Sequence, residues 1–156
     1  MRKALLVIDI QSKTIGSLYG KKKFLRRVNR MIDFFHEKNI PVIFIKQDGC
    51  GELSNNLNLL DNDVVVDKKE GNAFTSSQFN EVVNNLKLDS FVVTGLMSNA
   101  CIQKTCKGAL KQGYSVTLVE DAHDSIVKPL KTIWNKRLKK IGVNTLTSSM
   151  YITIQK

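Results

Sequence analysis

Ser90-Phe91-Val92-Val93-Thr94-Gly95-Leu96-Met97-Ser98-Asn99-Ala100-Cys101 is the stretch that decides the fold. It opens as an apolar run of the kind that forms a strand covered on both faces. Cys101 then begins a segment that reads as a helix to Gln112, with Gly113 closing it as the C′ glycine. A thiol at a strand-to-helix junction faces the unpaired N–H groups of the first helical turn and the positive end of the helix dipole. Both favour thiolate, and such placements lower a cysteine pKa from roughly 8.5 into about the 3.5–7.5 range. The competing reading is a buried cysteine acting as a small hydrophobe. Partners elsewhere in the chain decide between the two.

Outward from this stretch, strand and helix signals alternate from end to end, which predicts an α/β fold with a mainly parallel sheet. Upstream, Ala4 to Asp9 is a nearly all-apolar first strand. From about Lys22 to Lys38, Phe24, Leu25, Val28, Met31, Ile32 and Phe35 recur at helical spacing, and Asn39 and Pro41 end that helix. Val42 to Lys46 is the second strand and Val64-Val65-Val66 a short third, separated by a polar loop rich in Gly and Asn. Thr75 or Ser76 caps a helix running to about Leu86. Downstream, Tyr114 to Glu120 is the fifth strand and Pro129 to Ile141 the last helix. Val143 to Leu146 and Met150 to Ile154 complete the sheet edge. No repeat or linker interrupts the pattern, so residues 1–156 are expected to form one domain.

The chain has 156 residues, 42% hydrophobic and 24% charged, which is the balance of a globular protein. No apolar stretch approaches the roughly 20 residues needed to span a bilayer. Met1-Arg2-Lys3 leads straight into the first strand without the features of a signal peptide, so a cytoplasmic location is expected. Three cysteines without a CxxC pair, and two separated histidines, His36 and His123, support neither a disulfide framework nor a zinc site. Cys106 and Trp134 read as packing residues. The net charge of +10 is spread over the polar sides of helices, as in Lys21-Lys22-Lys23 with Arg26, Arg27 and Arg30. Without a recognisable reading motif, a solvated basic surface is expected rather than a nucleic-acid site.

In an open α/β sheet, ligands bind beyond the carboxyl ends of the strands, where the strand order reverses. Asp9 ends the first strand, Lys68 follows the third and Cys101 lies past the fourth. The aspartate can take the thiol proton, and the ammonium can hold both anions.

Asp9-Ile10-Gln11, Lys68 with Ala73-Phe74 downstream, and Gly95-Leu96-Met97-Ser98-Asn99-Ala100-Cys101-Ile102 together resemble the isochorismatase-like cysteine hydrolases. Glu120-Asp121-Ala122 is similar to another segment of that family. The resemblance implies a three-layer, doubly wound sheet of six strands with helices on both faces, and an Asp9–Lys68–Cys101 triad. Lys68 is preferred to Lys69 because its spacing to Ala73-Phe74 fits the family pattern. It further implies an oxyanion hole from the backbone N–H groups of Met97 and Cys101, and a non-proline cis peptide near Leu96-Met97. Gln11 and Phe74 are expected to bind substrate, with a core aromatic as the alternative for Phe74. Self-association is also implied.

Where family nicotinamidases carry metal-binding histidines, this chain reads Lys46-Gln47-Asp48-Gly49-Cys50, so no metal or other cofactor is expected. Members that cleave a vinyl ether need no cysteine nucleophile, so Cys101 points instead to a small amide, imide or ureide. The usual aromatic after Gln11 is missing and the loop before Lys68 is short. The site is therefore expected to be open, or completed by a neighbouring subunit. A catalytically idle binding module is the competing class.

Overall fold

In the computed structural model, which describes residues 1–156, six strands build one sheet. They are β1 (Lys3–Ile8), β2 (Val42–Gln47), β3 (Val64–Lys68), β4 (Ser90–Leu96), β5 (Ser115–Asp124) and β6 (Asn144–Leu146). Their order is β3-β2-β1-β4-β5-β6 and every neighbouring pair is parallel. The direction of winding reverses between β1 and β4, which makes the carboxyl ends of these two strands the switch point.

The side-chain alternation of β1 shows why the fold has three layers. Leu5 and Val7 enter one apolar cluster, with Phe24, Val28, Met31, Ile32 and Phe35 of α2 (Lys21–Glu37) and Tyr151 and Ile152 of α6 (Ser148–Gln155). Ala4, Leu6 and Ile8 enter the other, which holds Phe79 and Val83 of α3 (Ser77–Asn85), Cys106 and Ala109 of α4 (Gln103–Lys111), and Leu138 of α5 (Pro129–Lys140). A strand buried on both sides must be apolar at nearly every position, as β1 and β4 are. The short α1 (Ser12–Ile15) follows β1 directly. No helix is long and apolar enough to cross a membrane.

Several boundaries match the sequence reading for the reasons given there. Asn39 takes a left-handed φ of 55° beyond α2, and Ser76 Oγ accepts from the Phe79 N–H at 3.2 Å to cap α3. Two expectations fail. Met150 to Ile154 is not a strand: it lies in α6, whose first turn is capped by Thr147 Oγ accepting from the Met150 N–H at 3.2 Å. Tyr151 there stacks on Phe35 with ring centres 5.8 Å apart, so packing on α2 selects the helix. β5 also runs past Glu120 to Asp124. A register irregularity between Val93 and Gly95 lets β5 advance five positions, from Leu118 to His123, while β4 advances two.

Gly95 shows how closely the switch point is packed. Its φ is +126°, and a Cβ there would lie 2.1 Å from the Ile8 carbonyl oxygen. Only glycine fits between β1 and the nucleophile-bearing turn.

Candidate active site

Three neighbouring strand ends bring the chemistry together. Asp9 comes immediately after β1, in a left-handed backbone conformation (φ 53°), with its N–H donated to the Ile45 carbonyl at 2.9 Å. Lys68 is the last residue of β3 rather than the first after it, and stands opposite Gln47 of β2. Cys101 lies in a π-helical turn, Ser98–Ile102, between β4 and α4. The Lys68 Nζ donates to Asp9 Oδ2 at 3.0 Å, to the Glu70 carbonyl at 3.1 Å, and approaches Cys101 Sγ at 3.4 Å. The Lys68 and Asp9 side chains are 0% and 3% exposed. Ionised groups so deeply buried persist only as a pair.

The electrostatics correct the expectation of a preformed thiolate. The π-helical turn runs without a break into α4, so the thiol does sit in the first turn of a helical segment, yet its surroundings outweigh that polarity. Burial pushes the Cys101 pKa up to about 11, the Asp9 charge pushes the same way, and Lys68 offsets only part of this. Asp9 is itself held above the usual carboxylate range by burial, against the pull of Lys68. Cys101 therefore rests as a thiol beside the Asp9 carboxyl group. Asp9 Oδ1 is buried and has no hydrogen-bond partner, which leaves one lone pair free for a proton. No well-aligned hydrogen bond joins the thiol to Asp9, although the carboxylate is near enough to raise the thiol pKa.

The turn before Cys101 is tied together by its own backbone. The Leu96–Met97 peptide is cis, and the Met97 carbonyl accepts from the N–H groups of Ala100 at 3.1 Å and Ile102 at 3.2 Å. The Met97 N–H donates to no other group in the protein.

Gln11 makes no hydrogen bond to the thiol, and Phe74 belongs to the apolar cluster against which Cys101 packs. Gln11 is fully buried; its Oε1 accepts from the Gln47 N–H at 2.9 Å, and its Nε2 donates to the carbonyls of Gln47 at 3.0 Å and Gly51 at 2.8 Å. The amide clamps the chain leaving β2, and each of its polar atoms has a partner within the protein. Phe74 fits the core alternative: it packs with Phe79, Phe91 and Tyr114 at ring separations of 5.0, 5.5 and 5.6 Å.

Sequence reasoning passed over two groups. Gln47 Oε1 accepts from Lys68 Nζ at 2.5 Å, while its Nε2 donates to the Lys69 carbonyl at 2.6 Å. His123 is buried behind the nucleophile turn, with Nδ1 2.7 Å from Ser98 Oγ and Nε2 2.6 Å from Asn135 Oδ1. Asn135 Nδ2 faces the Glu120 carbonyl at 3.3 Å, so its Oδ1 accepts from His123 Nε2–H and Nδ1 accepts the Ser98 hydroxyl proton. Burial pushes the His123 pKa down to about 4, keeping the ring neutral. No three His, Cys, Asp or Glu side chains converge as metal ligands, and Lys46 of the Lys46–Cys50 segment instead meets Glu52 at 2.9 Å.

The chain is similar to known proteins over most of its length. A family model described as the isochorismatase domain matches residues 3–150. Isochorismatase family protein 2A of Dictyostelium discoideum is 29% identical, over 97% of this chain and 80% of its own length. Nicotinamidase 3 of Arabidopsis thaliana is 26% identical, over 76% of this chain and 71% of its own. Among solved structures, an isochorismatase-like hydrolase from Alkaliphilus metalliredigens superposes with a TM-score of 0.90 at 18% identity, covering 100% of both chains. The YcaC gene product of Escherichia coli, described as an octameric hydrolase of unknown specificity, gives 0.88 at 18% identity, over 97% of this chain and 78% of its own. The chain belongs to the isochorismatase family of hydrolases.

Proposed function

We propose that this protein is a metal-independent cysteine hydrolase that cleaves the C–N bond of a small amide, imide or ureide through a thioester on Cys101. The observation that carries the reading is the buried Oδ1 of Asp9, left without a hydrogen-bond partner in a carboxyl group that pairs with Lys68, which in turn reaches the Cys101 thiol. Asp9 Oδ1 takes the thiol proton as sulfur attacks the substrate carbonyl carbon. The N–H groups of Met97 and Cys101 receive the oxyanion, a contribution of about 3–4 kcal/mol per donor in other hydrolases. Asp9 then passes its proton to the nitrogen, the C–N bond breaks and ammonia or an amine leaves. Water, deprotonated by Asp9, cleaves the thioester and the proton returns to sulfur. Lys68 keeps Asp9 ionised in its buried position and stabilises the charge on sulfur as it forms.

The test is ammonia release from a panel of small amides and ureides, wild type against Cys101→Ala. Turnover that disappears in the variant supports the reading. Turnover unchanged in the variant removes Cys101 as the nucleophile.

A binding role without catalysis is the second reading, favoured by the raised thiol pKa and by the position of the wider clefts. Those clefts lie elsewhere, one of about 340 Å³ beside His36 and Asp63 and one of about 600 Å³ along Lys23, Arg26, Arg27 and Arg30. We also propose that copies of the chain self-associate, as the octameric relative does, and that a neighbouring copy walls the exposed side of the thiol. Gel filtration with light scattering reads the assembly directly.

A further inference from the structure

We infer that Gln47 is a specificity-determining residue whose carboxamide oxygen accepts an N–H from the nitrogen of the bound substrate's amide. The inference rests on the hydrolase reading and adds a recognition group on the leaving-group side.

Gln47 is held as a preorganised acceptor. Its Nε2 is committed to the Lys69 carbonyl at 2.6 Å and its Oε1 to Lys68 Nζ at 2.5 Å, so the amide can face only one way. Its own backbone is clamped at both N–H and carbonyl by Gln11. An amide oxygen carries two acceptor sites, and Lys68 uses one. The other receives the resting thiol, whose Sγ donates to Oε1 at 3.9 Å, and it is released to a ligand once sulfur gives up its proton. The residue is half-buried rather than sealed in, so a ligand can meet it.

The distances suit an amide nitrogen. A carbonyl carbon poised for attack stands roughly 3–3.5 Å from sulfur, and the amide nitrogen is about 1.33 Å further along the C–N bond. An N–H···O bond spans about 2.9 Å, so an acceptor near 4 Å from sulfur closes the triangle. Topology separates the two sides of the substrate. β2 and β3, with Gln47 and Lys68, lie on one side of Asp9, and β4 with the Met97–Cys101 turn lies on the other. With the substrate oxygen toward the turn, its nitrogen faces Gln47. An ester or vinyl ether would instead bring an oxygen lone pair against Oε1, an acceptor facing an acceptor.

The test needs no knowledge of the natural substrate. Iodoacetamide and methyl iodoacetate both alkylate a thiolate, forming the S–C bond with loss of iodide, but only the first carries N–H groups. Rates of Cys101 labelling by the two reagents, read by mass spectrometry, are divided by the same ratio for glutathione. The wild type is expected to favour iodoacetamide about tenfold beyond glutathione, the scale of one neutral hydrogen bond. Gln47→Met keeps the side-chain length without the acceptor and is expected to lose the preference, whereas Gln47→Glu retains it. No preference in the wild type, or a preference surviving in Gln47→Met, overturns the inference. So does an equal slowing of both reagents, which would leave Gln47 only a role in positioning Lys68. Should Gln47→Met not fold, N,N-dimethyl iodoacetamide with wild-type protein gives the same answer: a preference persisting without N–H groups overturns it. Absence of hydrolysis would count against the proposed function, while these ratios judge Gln47 alone.

Discussion

Lys68 Nζ stands 3.0 Å from Asp9 Oδ2 with both side chains shut off from solvent, although 59 residues separate them in the chain. Removing one member of such a pair leaves a bare charge in a poorly solvated place, a loss of about 3–5 kcal/mol. Removing both leaves none. Lys68→Met alone is therefore expected to lower stability by that amount in urea unfolding, and Asp9→Asn by a comparable amount. The double variant should recover most of the loss while remaining inactive. Additive losses in the double variant would mean that the two groups are not held as a pair.

Cys101 and Asp9 oppose each other in the resting state. The carboxylate helps to push the thiol pKa up to about 11, while Lys68 pulls it down. Asp9→Asn removes the repulsive charge and leaves Lys68 beside the sulfur. The variant is expected to react with iodoacetamide at neutral pH about tenfold faster than wild type, since one pKa unit is tenfold in thiolate. It should nevertheless release no ammonia from any amide, because the base is gone. In wild type, the labelling rate of Cys101 should keep rising with pH toward 11 instead of levelling off near neutrality. A plateau near neutrality, or slower labelling of Asp9→Asn, would contradict this account of the thiol.

Asp9, Lys68 and Cys101 are legible in the sequence because apolar runs mark buried strands, and the ends of parallel strands share one edge of the sheet. Other features depend on contacts that no local pattern carries. Gln47 looks like the start of a polar loop, and it matters only because β2 and β3 pair it with Lys68. His123 lies beyond the apparent end of β5, where the register irregularity against β4 hides the continuing strand. Met150 to Ile154 is too short an apolar run for its period to separate helix from strand, and the Thr147 cap with Tyr151 on Phe35 decides it. The thiol pKa shows the same division. Helix polarity is a local feature, whereas burial and the Asp9 charge are tertiary and outweigh it.

Gln11 is the cheapest place to separate support from chemistry. Its three side-chain hydrogen bonds hold Gln47 and Gly51, and none goes to the thiol or Lys68. Gln11→Leu keeps the volume but leaves a buried N–H and two carbonyls to find other partners, a destabilisation of about 2–4 kcal/mol. The amide-over-ester labelling preference of Cys101 should fall with it, because Gln47 is then free to turn. Stability within about 0.5 kcal/mol of wild type would show that the clamp contributes little.

His123 makes the fold sensitive to acid in a defined window. Burial holds its pKa near 4, against the opposing influence of Asn135, Asp124 and Asp121, while the unfolded chain titrates near 6.5. Above the unfolded value neither state binds the proton, so the ring has no effect on the pH slope. Between about 6.5 and 4 the unfolded chain binds it and the native protein does not, so stability falls as pH falls. The loss accumulates to about 3 kcal/mol across that window. His123→Gln cannot titrate and keeps a carboxamide for Ser98 and Asn135. Its stability should therefore decline less steeply than that of wild type from pH 6.5 to 4 in urea unfolding. Asp9 and the other carboxylates titrate in both proteins, so the difference between the two curves isolates the imidazole. Parallel curves would place His123 outside the acid response, and with it the view that a neutral ring buttresses the turn carrying Ser98 and Cys101.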